Sequence, residues 1–311
     1  MRQSGDQFRR LISGGTMALF DMDNGCLSLV VSSLGGSVLK LAAHGPEGEI
    51  PLLRPAVLRD TTSALQSGCF PLVPFGNRVN QNRFNFEDHE YQLSANTDWD
   101  RHYLHGDGWL QEWQCVEQGS NHLHLRYQHE DGPYRYQVEQ YFTLQQHQLS
   151  IELAVEHRGE RPMPYGLGWH PYFPLTADTR VQASAGAYWL EAEDWLAGEQ
   201  AALTEALDFS QPGPLPRHWV NNGFSGWNGE ARIQWPEQGA RLRMNTQPAC
   251  PVYFLFVSDP AFDPGYQFDF FCLEPMSHAA NGHNMADLGG LRRLAKGQRF
   301  SQTMLLSYSS F

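Results

Sequence analysis

Residues 122–127, 134–144 and 149–155 each alternate apolar and polar side chains with a period of two, and short polar turns separate them. That period sends every second side chain to one face of an extended chain, so each segment predicts a strand with one buried face. Neighbours this close in sequence pair most simply as an antiparallel run. The same texture returns at 17–40, 231–235, 241–245, 252–257, 267–273 and 303–308, with Gly, Pro and Asn between the runs. Helical spacing is almost absent. The fold class expected is therefore all-β, a large antiparallel β-sandwich.

Four stretches depart from this texture. Residues 97–113 combine three tryptophans, two histidines and two glycines, a composition for a shaped pocket wall as much as for a core. Residues 67–79 carry Pro71, Pro74 and Gly76, which argues for an irregular strand or loop and not a central strand throughout. Residues 80–95 read as a hairpin around Glu87-Asp88-His89. Residues 176–220 are richer in Ala, Glu and Pro and predict either a short helix near 199–207 or a long excursion over a pocket. No internal repeat, low-complexity tract or charge run marks a linker, so residues 17–311 are expected to form one domain, preceded by a flexible leader over 1–16.

Charge and cysteine use narrow the function classes. The 311 residues include 34 acidic and 22 basic side chains, a net charge of −12 without a basic cluster. Nucleic acid is a poor partner for such a chain, because phosphate contacts need a basic patch. No apolar run is long enough to cross a membrane as a helix. The cysteines, Cys26, Cys69, Cys115, Cys250 and Cys272, are scattered and odd in number, which fits a reducing, cytoplasmic setting. Phosphate-binding glycine loops, a serine nucleophile elbow and the HExxH zinc motif are all absent. His122 with His124, and His278 with His283, are pairs too small to make a metal site by themselves.

What remains is a set of proton-handling residues beside glycine and aromatic residues. In the run YGLGWHPYF, alternation would place Gly166, Gly168 and His170 on one face, leaving room beside the imidazole for a ligand; the other reading is a core histidine on a bulged strand. In FDFFCLEP, alternation places Phe268, Phe270, Cys272 and Glu274 together, so a carboxylate ends an apolar row. It is either exposed at the strand end or partly buried with a raised pKa suited to a general base. Arg78 in FGNRV and His105 in YLHGDGW complete the set.

The segments PLVPFGNRV, LHGDGW, GWHPYF and CLEP, in this order and at these separations, resemble the aldose 1-epimerase (galactose mutarotase) family over most of the chain. The resemblance implies a sandwich of the galactose-mutarotase type that acts on the anomeric carbon of a free sugar without metal or cofactor. It places the catalytic base on Glu274, the general acid on His170, a second histidine near the sugar ring oxygen on His105, and a substrate-binding arginine on Arg78. Asn77, Tyr172 and Trp109 are further candidate substrate contacts, and Trp169 and Trp227 candidate platforms for the sugar's C–H face. Where many members carry a sugar-binding aspartate, this chain has Asn221, which keeps hydrogen-bonding capacity and loses the charge.

The expected activity is interconversion of α and β anomers by acid–base ring opening, with a small-molecule sugar as partner and a monomer or homodimer as the assembly. One alternative is a mutarotase for a 6-sulfo or 6-phospho aldose, for which Arg83, Arg101 and Arg217 are candidate anion contacts. Others are a non-catalytic sugar-binding protein of the same fold and a glycosidase pairing Glu274 with Asp107 or Asp269.

Overall fold

The structure, a computed structural model, describes residues 17–56 and 63–311; the leader expected over 1–16 lies outside them. It is all-β, with short 3₁₀ turns as its helical content among the described residues. Two antiparallel sheets dominate. The larger has 11 strands, in spatial order Leu19–Asp23, Leu27–Ser32, Val38–Gly45, Cys69–Leu72, Gly168–Pro174, Phe270–Met276, Val252–Val257, Val220–Ser225, Ala187–Glu191 and Ala197–Ala202, with Gly48–Pro51 added beside Val38–Gly45. The second has 8, in the order Arg180–Gln182, Glu230–Trp235, Ala240–Gln247, Arg299–Ser310, Gln148–His157, Tyr136–Gln145, His122–His129 and Gln114–Gln118. Two small hairpin-like pairs, Arg83–Phe86 with His89–Gln92 and Met163–Tyr165 with Arg292–Leu294, lie beside them.

Alternation decides what lies between the sheets. Leu123, Leu125, Val138, Phe142, Ile151 and Leu153 of the second sheet meet Leu29, Val31, Trp169, Phe173, Phe271 and Leu273 of the larger one in one continuous buried cluster. Removing each such side chain from water stabilises the fold by about 1.5–3 kcal/mol. The opposite face of the larger sheet carries a smaller cluster: Phe70, Leu72, Trp109, Tyr172, Val252, Phe254, Cys272 and Met276. That outer face holds the candidate site.

Several expectations need correction. No helix forms near 199–207; a strand, Ala197–Ala202, is followed by a single 3₁₀ turn at Glu205–Leu207. The proline-rich stretch is, as expected, no central strand throughout, since 73–79 are irregular, but its residues Cys69–Leu72 do lie inside the large sheet. Tyr172 N–H bonds the Gly68 carbonyl at 2.8 Å, so the even-numbered residues face Gly168–Pro174 and the Pro71 nitrogen faces the other way. On that side Val38–Gly45 pairs at Val38 with Cys69 alone, so the missing N–H interrupts nothing.

Phe268 does not share a face with Glu274. The strand begins at Phe270, and Phe268 sits before it at φ 53°, packed against the core between the sheets. Gly166 lies outside the strand Gly168–Pro174 that carries His170.

Candidate active site

His170 and Glu274 come from neighbouring central strands. Gly168 pairs with Met276 and Tyr172 with Cys272, which sets His170 opposite Glu274 on the outer face. Across the sheet the same row continues to Phe70 beside His170 and to Phe254 beside Glu274. His170 Nε2 lies 3.2 Å from Glu274 Oε1, and both side chains are almost wholly buried. His170 Nδ1 and Glu274 Oε2 are buried with no hydrogen-bond partner among the described residues. Two unsatisfied polar atoms on one buried pair point to a polar ligand that supplies what the protein does not.

Aromatic rings hold the imidazole. Phe70 stacks on one side at 4.5 Å between centroids and Tyr172 stacks at 4.7 Å. The Arg54 guanidinium lies 3.8 Å over the Tyr172 ring, a cation–π contact at the edge of the site. Trp109 stacks on Phe70 at 5.4 Å, and its N–H is engaged by the Leu104 and Gly106 carbonyls. It therefore supports Phe70 from beneath and offers a substrate its ring alone.

His105 sits at φ 59° on the turn before Gly106, which reaches φ 68°. A Cβ at Gly106 would fall 2.1 Å from the Val73 carbonyl oxygen, so glycine is required where this turn crosses the proline-rich strand. His105 N–H bonds the Asn77 carbonyl, and Asn77 N–H donates to His105 Nδ1, each at 3.0 Å. An imidazole that accepts at Nδ1 carries its proton on Nε2, so neutral His105 offers the site a donor. Its pKa is held well below the usual value by burial, with the nearby His170 and Arg78 adding to the effect.

Ligand atoms of His105, His170 and Glu274 lie within 4.8 Å of one another, a grouping that could hold a metal ion. A cation there would have to displace the His105 proton and break the Asn77 bond. The donor set suits proton handling better.

The turn Gly76-Asn77-Arg78 is bonded at three successive amides. Gly76 N–H donates to His278 Nε2 at 2.9 Å, Asn77 N–H to His105, and Arg78 N–H to the Asn77 side-chain oxygen at 2.8 Å. Arg78 pairs with Asp100 through Nε at 2.8 Å and Nη2 at 2.7 Å. Trp195 lies 5.4 Å from its guanidinium carbon, so the 176–220 segment does reach over the site. Trp195 and Trp219 both contact Phe262, and these rings form an aromatic wall.

The expected clearance beside His170 has a different origin. A Cβ on Gly166 would lie 2.1 Å from His278 Nδ1, and one on Gly168 would lie 2.5 Å from the Pro275 carbonyl oxygen. These glycines make room for His278 and for the neighbouring strand, not for a ligand beside His170. Trp169 and Trp227 are buried between the sheets and offer no platform on the outer face.

Asn221 lies on the outer face two strands from Glu274, with its amide bonded to the Glu191 carboxylate. Asp107 is buried against Tyr103 and His129. His283 bonds the Tyr134 hydroxyl at 2.7 Å, so it and His278 serve separate structural contacts. Of the arginines considered for an anionic substrate, Arg83 bonds Gln81, Arg101 pairs with Asp194 and Arg217 bonds the Thr176 carbonyl. Arg54, Phe70, Asp100, Phe254 and Trp195 were not read as site residues from the sequence. Phe70 had a signal in its own strand, Cys69–Leu72, on the face opposite Pro71, and Trp195 lies in the 176–220 segment expected as a short helix or an excursion over a pocket.

Burial sets the protonation of the Glu274–His170 pair. It raises the Glu274 carboxyl well above its usual range, with Arg78 pulling in the opposite direction. It lowers His170 to about 3, helped by the Arg54 charge. Burial also lowers His278 to about 4 and His283 to about 3. A histidine whose folded pKa is depressed contributes stability above its unfolded value near 6.5, lost as pH falls toward the folded value. Glu274, raised, works in the opposite sense above about 4.5. Four neutral imidazoles outweigh one carboxyl, so urea unfolding midpoints should fall steadily from pH 6.5 to pH 4. A flat profile across that window would show that these histidines are solvated.

The chain matches the family model "Aldose 1-epimerase" over residues 18–307. It is 51% identical over 295 residues to the uncharacterized protein YphB of Escherichia coli K12, covering 93% of this chain and 98% of that one. A crystal structure from the same organism, of a protein described as a proposed aldose 1-epimerase, superposes with a TM-score of 0.91 at 50% identity, covering 95% of this chain and all of the other. The GalM/aldose epimerase homologue of C. elegans shares the fold, with a TM-score of 0.79 at 16% identity over 94% of this chain and 99% of the other. The architecture is thus the galactose-mutarotase-like sandwich, and the chain belongs to the aldose 1-epimerase family.

Proposed function

We propose that this protein is a mutarotase that interconverts the α and β anomers of a free aldose. The observation that carries this reading is the buried Glu274–His170 pair, 3.2 Å apart, with a second neutral imidazole, His105, beside it. A protonated carboxyl beside neutral imidazole and a carboxylate beside imidazolium contain the same protons. They differ by one transfer across that contact. Burial favours the neutral form, and the Arg78 charge favours the ionised carboxylate.

In the working direction the Glu274 carboxylate takes the proton from the C1 hydroxyl while His170 gives one to the ring oxygen. The C1–O5 bond breaks as the C1 carbonyl forms, yielding the open-chain aldehyde. Rotation about C1–C2 presents the other carbonyl face. On reclosure O5 attacks C1, its proton returns to His170, and Glu274 returns the first proton to O1. Each proton transfer contributes on the order of 10²–10⁴-fold. His105 Nε2–H steadies the ring oxygen, and Arg78 binds hydroxyls.

The cytoplasm is the compartment this reading assigns, in keeping with five scattered cysteines and an odd count. Among the described residues, no helix is long and apolar enough to cross a membrane.

Polarimetry on freshly dissolved α-galactose and α-glucose tests the activity. The approach to equilibrium should accelerate in proportion to protein concentration for at least one of them. Binding of the sugar without acceleration would favour a non-catalytic sugar-binding protein, and release of a reducing sugar from a glycoside would favour a glycosidase.

A further inference from the structure

Arg78 owes its position to a carboxylate outside the acid–base pair. The Asp100 side chain has no solvent exposure, and its Oδ2 accepts from both Nε and Nη2 of Arg78. Its Oδ1 accepts from the His102 amide at 2.8 Å and lies 3.1 Å from His102 Nδ1. The Asp100 amide donates to the Thr97 hydroxyl at 3.2 Å. All of these partners belong to one loop, which follows the strand His89–Gln92, except Arg78. A buried carboxylate is costly unless a cation and hydrogen bonds offset its desolvation. Arg78 is the permanent cation that Asp100 meets among the described residues.

The same guanidinium acts on Glu274. Several titratable groups surround that carboxyl: His170 and Tyr172 on Gly168–Pro174, Cys272 on its own strand, Cys69 on Cys69–Leu72, His105 on its turn and Arg78 on the preceding one. Val252–Val257 presents Phe254. Arg54, stacked on Tyr172, bears on His170 and Cys272.

Arg78 thus bears on two buried carboxylates: it is bonded to Asp100, and its charge acts on Glu274 without a bond to it. An arginine fork closed on Glu274 would hold it as a paired anion and remove its basicity. We propose that Asp100 is a positioning residue that holds Arg78 away from Glu274, so that the guanidinium meets the substrate and the catalytic carboxyl stays able to take up a proton. The kinetic side of this inference rests on the mutarotase reading; the titration below does not.

The full chain, labelled with ¹³C at the glutamate carboxyl carbons, is titrated by NMR, with Glu274 assigned by the signal lost in Glu274→Gln. In Asp100→Asn the released arginine should pair with Glu274 and lower its midpoint by about one pH unit or more. Arg78→Ala should raise the midpoint. Asp100→Asn combined with Arg78→Ala should behave as Arg78→Ala, and it leaves no unpaired buried charge if the single variant folds poorly.

Three outcomes would overturn the proposal: an unmoved or raised midpoint in folded Asp100→Asn, the same downward shift in the double variant, or an unmoved midpoint in Arg78→Ala. The acid limb of kcat/KM should follow the midpoint in each variant. Absence of mutarotation in the wild type would end the functional reading and leave the titration to decide the role of Asp100.

Discussion

Glu274→Gln should lose on the order of 10²–10⁴-fold in mutarotation rate and at the same time unfold at a higher temperature than the wild type at pH 7. The two effects share one cause. Glu274 is enclosed by Phe254, Cys272, Tyr172 and His170, and burial raises its pKa well above 4.5. A carboxyl raised in the folded state stabilises the fold fully below its unfolded pKa, and that contribution is lost as pH rises through the folded value. Glutamine is nearly isosteric and never ionises, so it removes this loss near neutrality while abolishing the base. His170→Asn should lose a similar factor through the acid. Melting curves and initial rates on the same preparations check both effects. A variant that is inactive and also less stable would mean that the carboxyl is a structural hydrogen-bonding group.

Gly166→Ala should destabilise the protein by about 2–5 kcal/mol, the combined scale of overpacking and of leaving a buried donor unpaired. The added methyl would lie 2.1 Å from His278 Nδ1, so the ring must move. Movement of the ring breaks the 2.9 Å bond from Gly76 N–H, the first of three that define the Gly76-Asn77-Arg78 turn. Activity in the folded fraction should fall too, because Arg78 and the His105 acceptor bond depend on that turn. Pairing Gly166→Ala with His278→Ala, which frees the space, should recover part of the stability and not the activity. Equal stability of Gly166→Ala and wild type in urea would contradict the close packing.

How legible the site was depends on how local each signal is. Glu274 could be placed on one face with Phe270 and Cys272 because the three alternate within one strand, and the strand is real. Phe268 failed the same rule because a left-handed residue breaks the extended chain before the strand starts. His170 was readable as a strand residue, whereas the reason for Gly166 was not, since the atom it makes room for belongs to His278, far along the chain. Asp100 was legible only as part of the aromatic-rich stretch 97–113, because its loop has no periodicity and its partner Arg78 is joined to it by a fold-dependent contact. The helix expected near 199–207 rested on Ala and Glu content. Propensity is a weak prior, and Ala197–Ala202 instead pairs along Ala187–Glu191 at the edge of the large sheet, with a 3₁₀ turn following at Glu205–Leu207. Trp195 and Trp219 fall in the segment foreseen only as an excursion of unspecified course, and Phe262, which completes their wall, lies outside it.

The central claim is that Glu274 and His170 exchange protons with a sugar at C1 and O5. Two-dimensional exchange NMR on one aldose at anomeric equilibrium tests it most directly, because it reads interconversion without any net reaction. Wild-type protein should produce cross-peaks between the α and β anomeric protons within the mixing time, and Glu274→Gln and His170→Asn at the same concentration should return them to the buffer level. Undiminished cross-peaks in both variants would contradict the account.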